Sequence, residues 1–381
     1  MRTISAEQAE LIDAARAAGI IPLTARVLEK DIVIVEALRA IAHIKLPGLT
    51  LTFSGGTCLS KAYGLLQRMS EDIDLRLSFD DRDGLTHSAL RRSLRDLRVS
   101  LTEALRAAQF NVPDAAVKAR NENKFVSFEL EYDSRYSPEV AVRPGLRVEF
   151  MAIAPRRATA TRTMRPLIDE VTKRTTASPV TLQCLAVEET YCEKIISYLR
   201  RAMEHLSDRT QSQYEERLAR HIYDVHRIAA GQFAQPDASL PSALFEEILA
   251  AEADQYGNRD PAFRADPATA LRETLLRIAE HRDFRKHYDR FAVDLLYGDD
   301  RPTFAEAHSV RSDLLHNRCS AFASADSARS ALWQHRRQHK ETRLGLGPRE
   351  QPQGTRQSPP RYRGARKRQT VQSPLGPFAL P

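Results

Sequence analysis

The sequence predicts an α+β protein in which a small mixed sheet lies between N-terminal helices and a C-terminal helical domain. Segments that alternate between polar and apolar residues, as strands do, fall between residues 51 and 152. After about residue 186 the apolar residues instead recur at three- and four-residue spacing, which indicates helices. Strands followed by helices along one chain are typical of an α+β domain joined to a helical one.

The individual elements follow from the same two spacings. Strands are predicted over 51–53, 71–77, 124–132 and 146–152. Helices are predicted over 5–19, 24–44, 57–68, 84–108, 186–203, 211–230, 241–254, 268–286 and 303–316. We therefore expect N-terminal helices over 1–48, a catalytic domain over 49–185, a helical domain over 186–340 that completes the site, and a tail over 341–381.

Composition places the chain among soluble globular proteins. Hydrophobic residues make up 42% of its 381 residues and charged residues 28%. We expect no membrane contact, because no apolar run is long enough to cross a bilayer, and the N-terminus lacks a signal peptide's pattern. The four cysteines are far apart, so we expect reduced thiols in a cytoplasmic protein.

The net charge of +7 comes from the C-terminal tail. Between Arg336 and Arg368 there are eleven basic residues against two glutamates, so the rest of the chain is slightly acidic. The tail from about residue 341 is rich in Pro, Gly, Arg and Gln and has few apolar residues, which predicts disorder. We expect it either to attract RNA phosphates or to remain a solvated terminus.

Paired carboxylates lie on the strand predicted over 71–77. Side chains alternate along a strand, so Asp72 and Asp74 project from one face and Ile73, Leu75 and Leu77 from the other. Magnesium is commonly held by one or two carboxylates together with substrate phosphates. The pattern therefore indicates a metal site, although two solvated aspartates on an exposed strand face would give the same spacing.

A glycine turn precedes this strand. Ser54-Gly55-Gly56-Thr57 joins a strand to a helix, where free backbone N–H groups and the helix dipole attract phosphate. Lys61 and Arg68 follow on one stripe of the predicted helix and could face a polyphosphate, or the stripe could be solvated. A glycine turn and a paired-aspartate strand in this order favour nucleotide chemistry.

The ordered motifs resemble a known family. GGTCLSKAYGLLQRMSEDIDLRLS is similar to the AbiEii/AbiGii nucleotidyltransferase toxins, members of the DNA-polymerase-β-like superfamily. VEETYCEKIISYLRR resembles the family's Glu-x-x-x-x-Lys helix and places Lys194 at its lysine. Arg220 to Asp224 resembles its Arg-[Asp/His]-x-Tyr-Asp motif and places Asp224 at its aspartate. The resemblance spans roughly residues 50–230, with departures at Met69 and His221.

The resemblance implies a role for each matching residue. Asp72 and Asp74 would ligate two magnesium ions that bridge the phosphates of a nucleoside triphosphate. Gly55, Gly56 and Thr57 would hold the β- and γ-phosphates, and Lys194 would bind a phosphate group. Asp224 would act in catalysis or orient Lys194, with an intrahelical ion pair to Arg220 or Arg227 as the alternative.

The superfamily often carries a third carboxylate on a later strand. We prefer Glu149, as a metal ligand or general base, because it is a single acid in a short core-like strand; Glu129 and Glu131 are the alternatives. Ser70 lies on the same predicted strand face as Asp72, so it either binds a phosphate or completes the start of the strand.

The resemblance implies a toxin that transfers a nucleoside monophosphate from a nucleoside triphosphate to RNA. The tRNA 3′ end is the favoured acceptor, and a cognate antitoxin protein is the expected partner. One alternative keeps the chemistry but nucleotidylates a protein or a small molecule such as an antibiotic. Another is a catalytically inactive RNA-binding scaffold, which the intact Asp72 and Asp74 argue against.

Overall fold

A seven-stranded mixed sheet forms the centre of the chain in the computed structural model, which describes residues 1–80, 84–139, 142–207, 218–232, 242–258, 260–298 and 300–309. The strands are β1 (Leu49–Ser54), β2 (Asp72–Phe79), β3 (Val117–Arg120), β4 (Phe125–Leu130), β5 (Leu146–Met151), β6 (Ala160–Met164) and β7 (Val180–Cys184). Their spatial order is β3-β4-β5-β2-β1-β7-β6. Since β2 lies antiparallel to β1 and parallel to β5, the predicted mixed sheet is confirmed.

Helices precede, interrupt and follow the sheet. They are α1 (Ala6–Ala17), α2 (Ala25–Ala42), α3 (Gly55–Lys61), α4 (His87–Ala107), α5 (Leu167–Thr172), α6 (Val187–Leu206), α7 (Leu218–Gln232), α8 (Ser242–Tyr256), α9 (Pro261–Ala265), α10 (Pro267–Glu280) and α11 (Arg282–Leu295), with a short 3₁₀ helix at Asp114–Ala116. Ser5, Thr24 and Thr86 cap α1, α2 and α4 through their hydroxyl oxygens. Within the described ranges, none of these helices combines the length and apolarity needed to cross a membrane.

Two hydrophobic clusters lie on opposite sides of β2. The first joins α1, α2 and α4 to the apolar face of the sheet, where Ile73, Leu75 and Leu77 are buried. The second is built by α6, α7, α8, α10 and α11. Arg76, on the polar face of β2, hydrogen-bonds Glu189 on α6 at 3.2 Å. The helical cluster therefore covers the polar face of the sheet, which is where the sequence analysis places the functional residues.

Two helix predictions differ from the structure. The helix expected over 57–68 is α3, which ends at Lys61 because Gly64 adopts a left-handed backbone (φ +64°) and Leu65 N–H turns back to the Leu59 carbonyl. The helix expected over 268–286 is divided into α10 and α11 by His281, whose backbone is extended (ψ 121°). The short strands β3, β6 and β7 were not predicted.

Some predictions fall partly or wholly outside the described residues. The helices expected over 211–230 and 303–316 are described only from residue 218 and up to residue 309. The basic tail over 341–381 and Cys319 lie outside the described ranges. Cys58, Cys184 and Cys192 are buried free thiols, as expected for reduced cysteines.

Candidate active site

The candidate site begins on the polar face of β2 and β5. Alternation along β2 places Asp72, Asp74 and Arg76 on one face, because Ile73 and Leu75 are buried on the other. The parallel register pairs Asp74 with Glu149. Residues paired in register project to the same side of a sheet, so three carboxylates share this face.

The two turn glycines leave room for side chains of the site. A Cβ atom on Gly55 would lie 2.0 Å from Asp74 Oδ2, and one on Gly56 would lie 2.4 Å from Arg68 Nη2. Gly55 also has a left-handed backbone, with φ of +76°. Glycine is therefore required at both positions because Asp74 and Arg68 pack closely against the turn. The sequence analysis assigned the turn only to phosphate binding.

The side chain of Thr57 fixes the start of β2. It is fully buried, its hydroxyl lies 2.8 Å from Ser70 Oγ, and it hydrogen-bonds the Asp72 carbonyl. Ser54, the N-cap residue of α3, does not cap the helix with its side chain and instead donates to the Asp74 carbonyl at 3.1 Å. In this arrangement the backbone of the turn, rather than the Thr57 hydroxyl, is the part that a phosphate could approach.

Asp224 links the turn to the helical cluster. Its buried carboxylate accepts hydrogen bonds from Arg68 Nε at 2.6 Å and Nη2 at 2.7 Å, and Lys194 Nζ lies 2.9 Å from Oδ2. Although burial opposes its ionisation, Arg68 and Lys194 hold the pKa of Asp224 well below its usual range. Arg68 and Lys194 therefore share the Asp224 carboxylate, whereas Arg227 pairs with Asp300.

Asp72 pairs with an arginine that the sequence analysis did not single out. Arg143, which precedes β5, places Nη1 2.9 Å from Asp72 Oδ1. Its backbone N–H donates to the buried carboxylate of Glu71 at 2.7 Å. Arg220 approaches the same glutamate at 3.9 Å. Arg143 and Arg220 therefore pair with the adjacent acids Asp72 and Glu71.

Glu149 is the third acid of this polar face. Ser127 Oγ donates to it at 3.1 Å, and burial raises its pKa. Arg147 lies 2.6 Å from Glu129 and 3.8 Å from Glu149, and Glu131 accepts a hydrogen bond from Asn111. Of these three glutamates, Glu149 alone is paired in register with Asp74.

Lys61 is placed differently from the expectation that it faces a polyphosphate. Its ammonium lies 2.6 Å from Asp31 Oδ1 on α2, and both side chains are largely buried. Because α3 ends at this residue, Lys61 and Arg68 do not share a helical stripe. This ion pair joins α3 to α2.

The electrostatics of the site centre on Asp74. Its pKa is raised to about 7, first by burial and then by the negative charges of Asp72 and Glu149. Part of its surface remains accessible, yet protein atoms surround most of the carboxylate. Within the described part of the chain Asp74 makes no ion pair shorter than 4 Å, and Lys194 is the cation that most lowers its pKa. A cation bound at this position would therefore favour the ionised form of Asp74.

These residues fit a magnesium ion bound together with substrate. Among the described residues no group of three or more His, Cys, Asp or Glu side chains forms a protein-only metal site. Magnesium retains several water ligands and commonly uses one or two carboxylates plus phosphates, so it does not require such a group. Asp72 and Asp74 supply two hard oxygen donors on one face, and the raised pKa of Asp74 reflects the burial and the neighbouring acids that a bound cation would offset.

A family model matches most of the sequence. The model describes the nucleotidyl transferase AbiEii toxin of type IV toxin–antitoxin systems and matches residues 37–310. The chain belongs to the AbiEii family. It is therefore a nucleotidyltransferase of a family of type IV toxins, and the resemblance recognised over residues 50–230 extends across most of the chain.

The other two comparisons add less. A solved structure similar to this AbiEii-family chain is MenT4, a nucleotidyltransferase toxin from Mycobacterium tuberculosis H37Rv. The similarity has a TM-score of 0.35 and 19% sequence identity, and covers 59% of this chain and 72% of MenT4. A search of curated proteins gave no match.

Proposed function

We propose that this AbiEii-family protein is a magnesium-dependent enzyme that transfers a nucleoside monophosphate from a nucleoside triphosphate to the 3′ end of an RNA, with tRNA as the favoured acceptor. The observation that carries the proposal is the convergence of Asp74, Asp72 and Glu149 on one sheet face, beside Lys194 and Asp224. Acidic oxygens for a metal and a fixed cation for phosphate are the groups that nucleotidyl transfer requires.

Each residue has a proposed role. Asp72 and Asp74 would hold two magnesium ions, which when bound neutralise the triphosphate and polarise its α-phosphoryl group. The backbone of Gly55, Gly56 and Thr57 would lie along the β- and γ-phosphates, with Ser70 fixing the turn through Thr57. Lys61 pairs with Asp31, so it would contact the nucleotide only through its remaining ammonium hydrogens.

Lys194 would contact a phosphate oxygen from the position that Asp224 fixes. A single ammonium can approach a phosphate and still keep its partner carboxylate, because it has three donor hydrogens. Arg68 makes two hydrogen bonds to the same carboxylate, so Asp224 stays ionised whether or not Lys194 turns toward the substrate. The Arg68–Asp224 pair would thus keep the Lys194 ammonium beside the phosphates.

The transfer step displaces pyrophosphate. The RNA 3′ hydroxyl oxygen would form a bond to the α-phosphorus while the bond from that phosphorus to the bridging oxygen breaks. Glu149, whose burial raises its pKa, would accept the hydroxyl proton or complete the metal site. Lys194 would stabilise charge on the departing phosphates.

The remaining parts of the proposal concern organisation and partners. We assign residues 1–48 to N-terminal helices, 49–185 to the catalytic domain and 186–340 to the helical domain that supplies Lys194 and Asp224. A cognate antitoxin protein would act against the toxin, as the type IV family implies. The tail over 341–381 is proposed to add sequence-independent RNA affinity.

Label transfer tests the proposal. Each of four nucleoside triphosphates labelled at the α-phosphate is incubated with the protein, magnesium and deacylated tRNA, and the products are separated by size. We expect label on tRNA from at least one nucleotide, and a loss of at least about a hundredfold with Asp72→Ala or Asp74→Ala. Asp80→Ala, which removes an exposed acid just after β2, is the control and should retain activity.

The fate of the label separates the alternatives. Label on a protein or a small molecule, with none on RNA, would contradict the proposed acceptor but keep the chemistry. RNA binding without any label transfer would support an inactive scaffold. Activity above about a tenth of wild type in either aspartate variant would remove the metal assignment.

A further inference from the structure

Arg143 combines a fixed backbone with a side chain whose ion-pair partner is a proposed metal ligand. The Lys30 ammonium, fully buried on α2, donates to the Arg143 carbonyl at 2.9 Å and also bonds the Gly145 carbonyl. Glu71 accepts the Arg143 N–H at 2.7 Å. These buried contacts hold the segment in place, so the only part of Arg143 free to move is its guanidinium.

The guanidinium occupies the region where a metal would bind. Arg143 Nη1 lies 2.9 Å from Asp72 Oδ1, and both side chains are partly exposed. A divalent cation on Asp72 would be repelled by a guanidinium on the same carboxylate. Arg143 Nη2 is buried without a hydrogen-bond partner among the described residues, so the hydrogen-bonding capacity of the guanidinium is only partly used.

Among the described residues, Asp72 is the carboxylate that forms an ion pair with the Arg143 guanidinium. Glu71 is the closest acid to its backbone, but it already accepts the Arg143 N–H and faces Arg220 at 3.9 Å. Burial and then the charge of Arg68 lower the pKa of Arg220 to about 10, and Arg143 adds to this effect while Glu71 and Asp72 oppose it. The anion that arrives with the metal is the triphosphate of the substrate.

We propose that Arg143 is a phosphate-binding residue that the metal-free protein holds on Asp72 and that moves to the triphosphate when metal and nucleotide enter together. This rests on the proposed function, since it takes Asp72 as a metal ligand. A guanidinium binds phosphate oxygens with two parallel hydrogen bonds, and the Nη2 group would gain the partner it lacks. Arg143 would then weaken the binding of the metal alone, and it would strengthen the binding of the triphosphate together with the metal.

The proposal predicts effects of opposite sign from one substitution. Without nucleotide, Arg143→Ala should tighten metal binding, because the guanidinium no longer competes for Asp72. With metal present, the same variant should weaken triphosphate binding, because a charged donor is lost. Replacing an arginine that only stabilises the fold would not change the metal affinity and the triphosphate affinity in opposite directions.

Binding measurements separate the two effects without turnover. Free Mn²⁺ is followed by electron paramagnetic resonance, and inorganic tripolyphosphate is titrated calorimetrically in saturating Mn²⁺, which avoids any assumption about the base. For Arg143→Ala we expect Mn²⁺ affinity to rise about threefold and tripolyphosphate affinity to fall at least about tenfold. Arg143→Lys should restore part of the tripolyphosphate affinity, since it keeps the charge but loses the planar fork.

Arg2 offers a matched control. Its Nη2 lies 2.9 Å from Glu36 and its side chain is 25% exposed, against 2.9 Å and 23% for Arg143 with Asp72. Arg2→Ala should leave both affinities unchanged. Asp72→Asn reports on the proposed function itself, because it should abolish the Mn²⁺ site.

The outcomes are distinguishable. If Asp72→Asn retains wild-type Mn²⁺ binding, the metal assignment and the proposal fall together. If Asp72→Asn loses Mn²⁺ while Arg143→Ala leaves Mn²⁺ affinity unchanged or lower, the role of Arg143 alone is overturned. Unchanged tripolyphosphate affinity in Arg143→Ala would overturn it as well.

Discussion

The Arg68 guanidinium donates two hydrogen bonds to the Asp224 carboxylate, at 2.6 and 2.7 Å, between residues 156 positions apart in the chain. Both side chains are buried, at 4% and 0% exposure. Arg68 follows the glycine turn and Asp224 lies on α7, so the pair joins the sheet region to the helical cluster. The same carboxylate holds Lys194, which connects this structural contact to the proposed chemistry.

Asp224→Asn should destabilise the protein strongly. The substitution leaves the Arg68 and Lys194 cations without their shared counter-charge, and breaking a buried ion pair typically costs about 3 kcal/mol or more. Denaturant unfolding would measure the loss. Asp114→Asn is the control, because Asp114 pairs with Arg106 at the same 2.6 Å but is 94% exposed, so its loss should cost less than about 0.5 kcal/mol. An equal decrease in the free energy of unfolding in the two variants would contradict a special contribution of the buried Asp224 ion pairs to stability.

Lys194→Ala should separate activity from stability. Arg68 still neutralises Asp224 in this variant, so unfolding free energy should fall by only about 1 kcal/mol. Nucleotidyl transfer should fall at least about a hundredfold, mainly through weaker contact with phosphate. Lys194→Arg should recover part of the activity, and Lys118→Ala on the exposed strand β3 should lose none. A stable variant with full turnover would show that Lys194 serves the ion pair alone.

Gly55→Ala should abolish transfer by displacing Asp74. Its Cβ would lie 2.0 Å from Asp74 Oδ2 and 3.0 Å from Asp74 Cβ, so the whole side chain has to move. Gly64→Ala is the matched control, because Gly64 has φ of +64° against +76° for Gly55 and nothing within 4 Å of the added atom. Both variants should lose about 1 kcal/mol from left-handed backbone strain. Only Gly55→Ala should lose transfer activity, and a similar loss in Gly64→Ala would assign the effect to backbone strain.

Asp74 should make stability fall as pH rises in the absence of metal. The unfolded carboxyl releases its proton near pH 4, whereas the folded one retains it up to about pH 7. Between those values the unfolded state binds fewer protons, so the free energy of unfolding falls as pH rises. The contribution of protonated Asp74 to stability is fully present below about pH 4 and is lost by about pH 7. Asp74→Asn should therefore have a Tm at pH 8 that exceeds wild type by about 2 °C or more, with a smaller difference at pH 5.

The control for this pH effect is Asp80→Asn, which removes an exposed acid and should follow the wild-type pH dependence. Magnesium should raise the Tm of the wild-type protein at pH 8, because a cation stabilises ionised Asp74, and should do so less in Asp74→Asn. Identical pH profiles in wild type and Asp74→Asn would mean that Asp74 ionises as an ordinary surface carboxylate.

The sequence predicted the parts of the fold that have strong local patterns. The strand that carries Asp72 and Asp74 is β2, and the acid-bearing strand with Glu149 is β5, close to their predicted bounds. Their alternation with buried Ile73, Leu75, Val148 and Phe150 left little ambiguity about which face is polar. The register that pairs Asp74 with Glu149 is a long-range property that the alternation does not determine.

The errors arose where distant residues decide a side chain's position. Helical spacing placed Lys61 and Arg68 on one stripe of a single helix. In the structure the helix ends before Gly64, Lys61 pairs with Asp31, and Arg68 pairs with Asp224. Arg143 lies in a segment without periodicity, so nothing in its local sequence indicated that Lys30 and Glu71 hold it near Asp72. Proline and glycine at 144 and 145 signalled only a turn before a strand.

Helix α2 has a practical consequence for anyone who dissects this protein. The family model begins at residue 37, within α2, which runs from Ala25 to Ala42. Lys30 holds the Arg143 segment and Asp31 holds Lys61, and both lie before that boundary. An expression fragment trimmed to the matched residues would therefore begin within α2, remove both anchors and expose the core surface that the missing part of α2 covers. Cloning boundaries for this toxin are better set ahead of Ala6, where α1 begins.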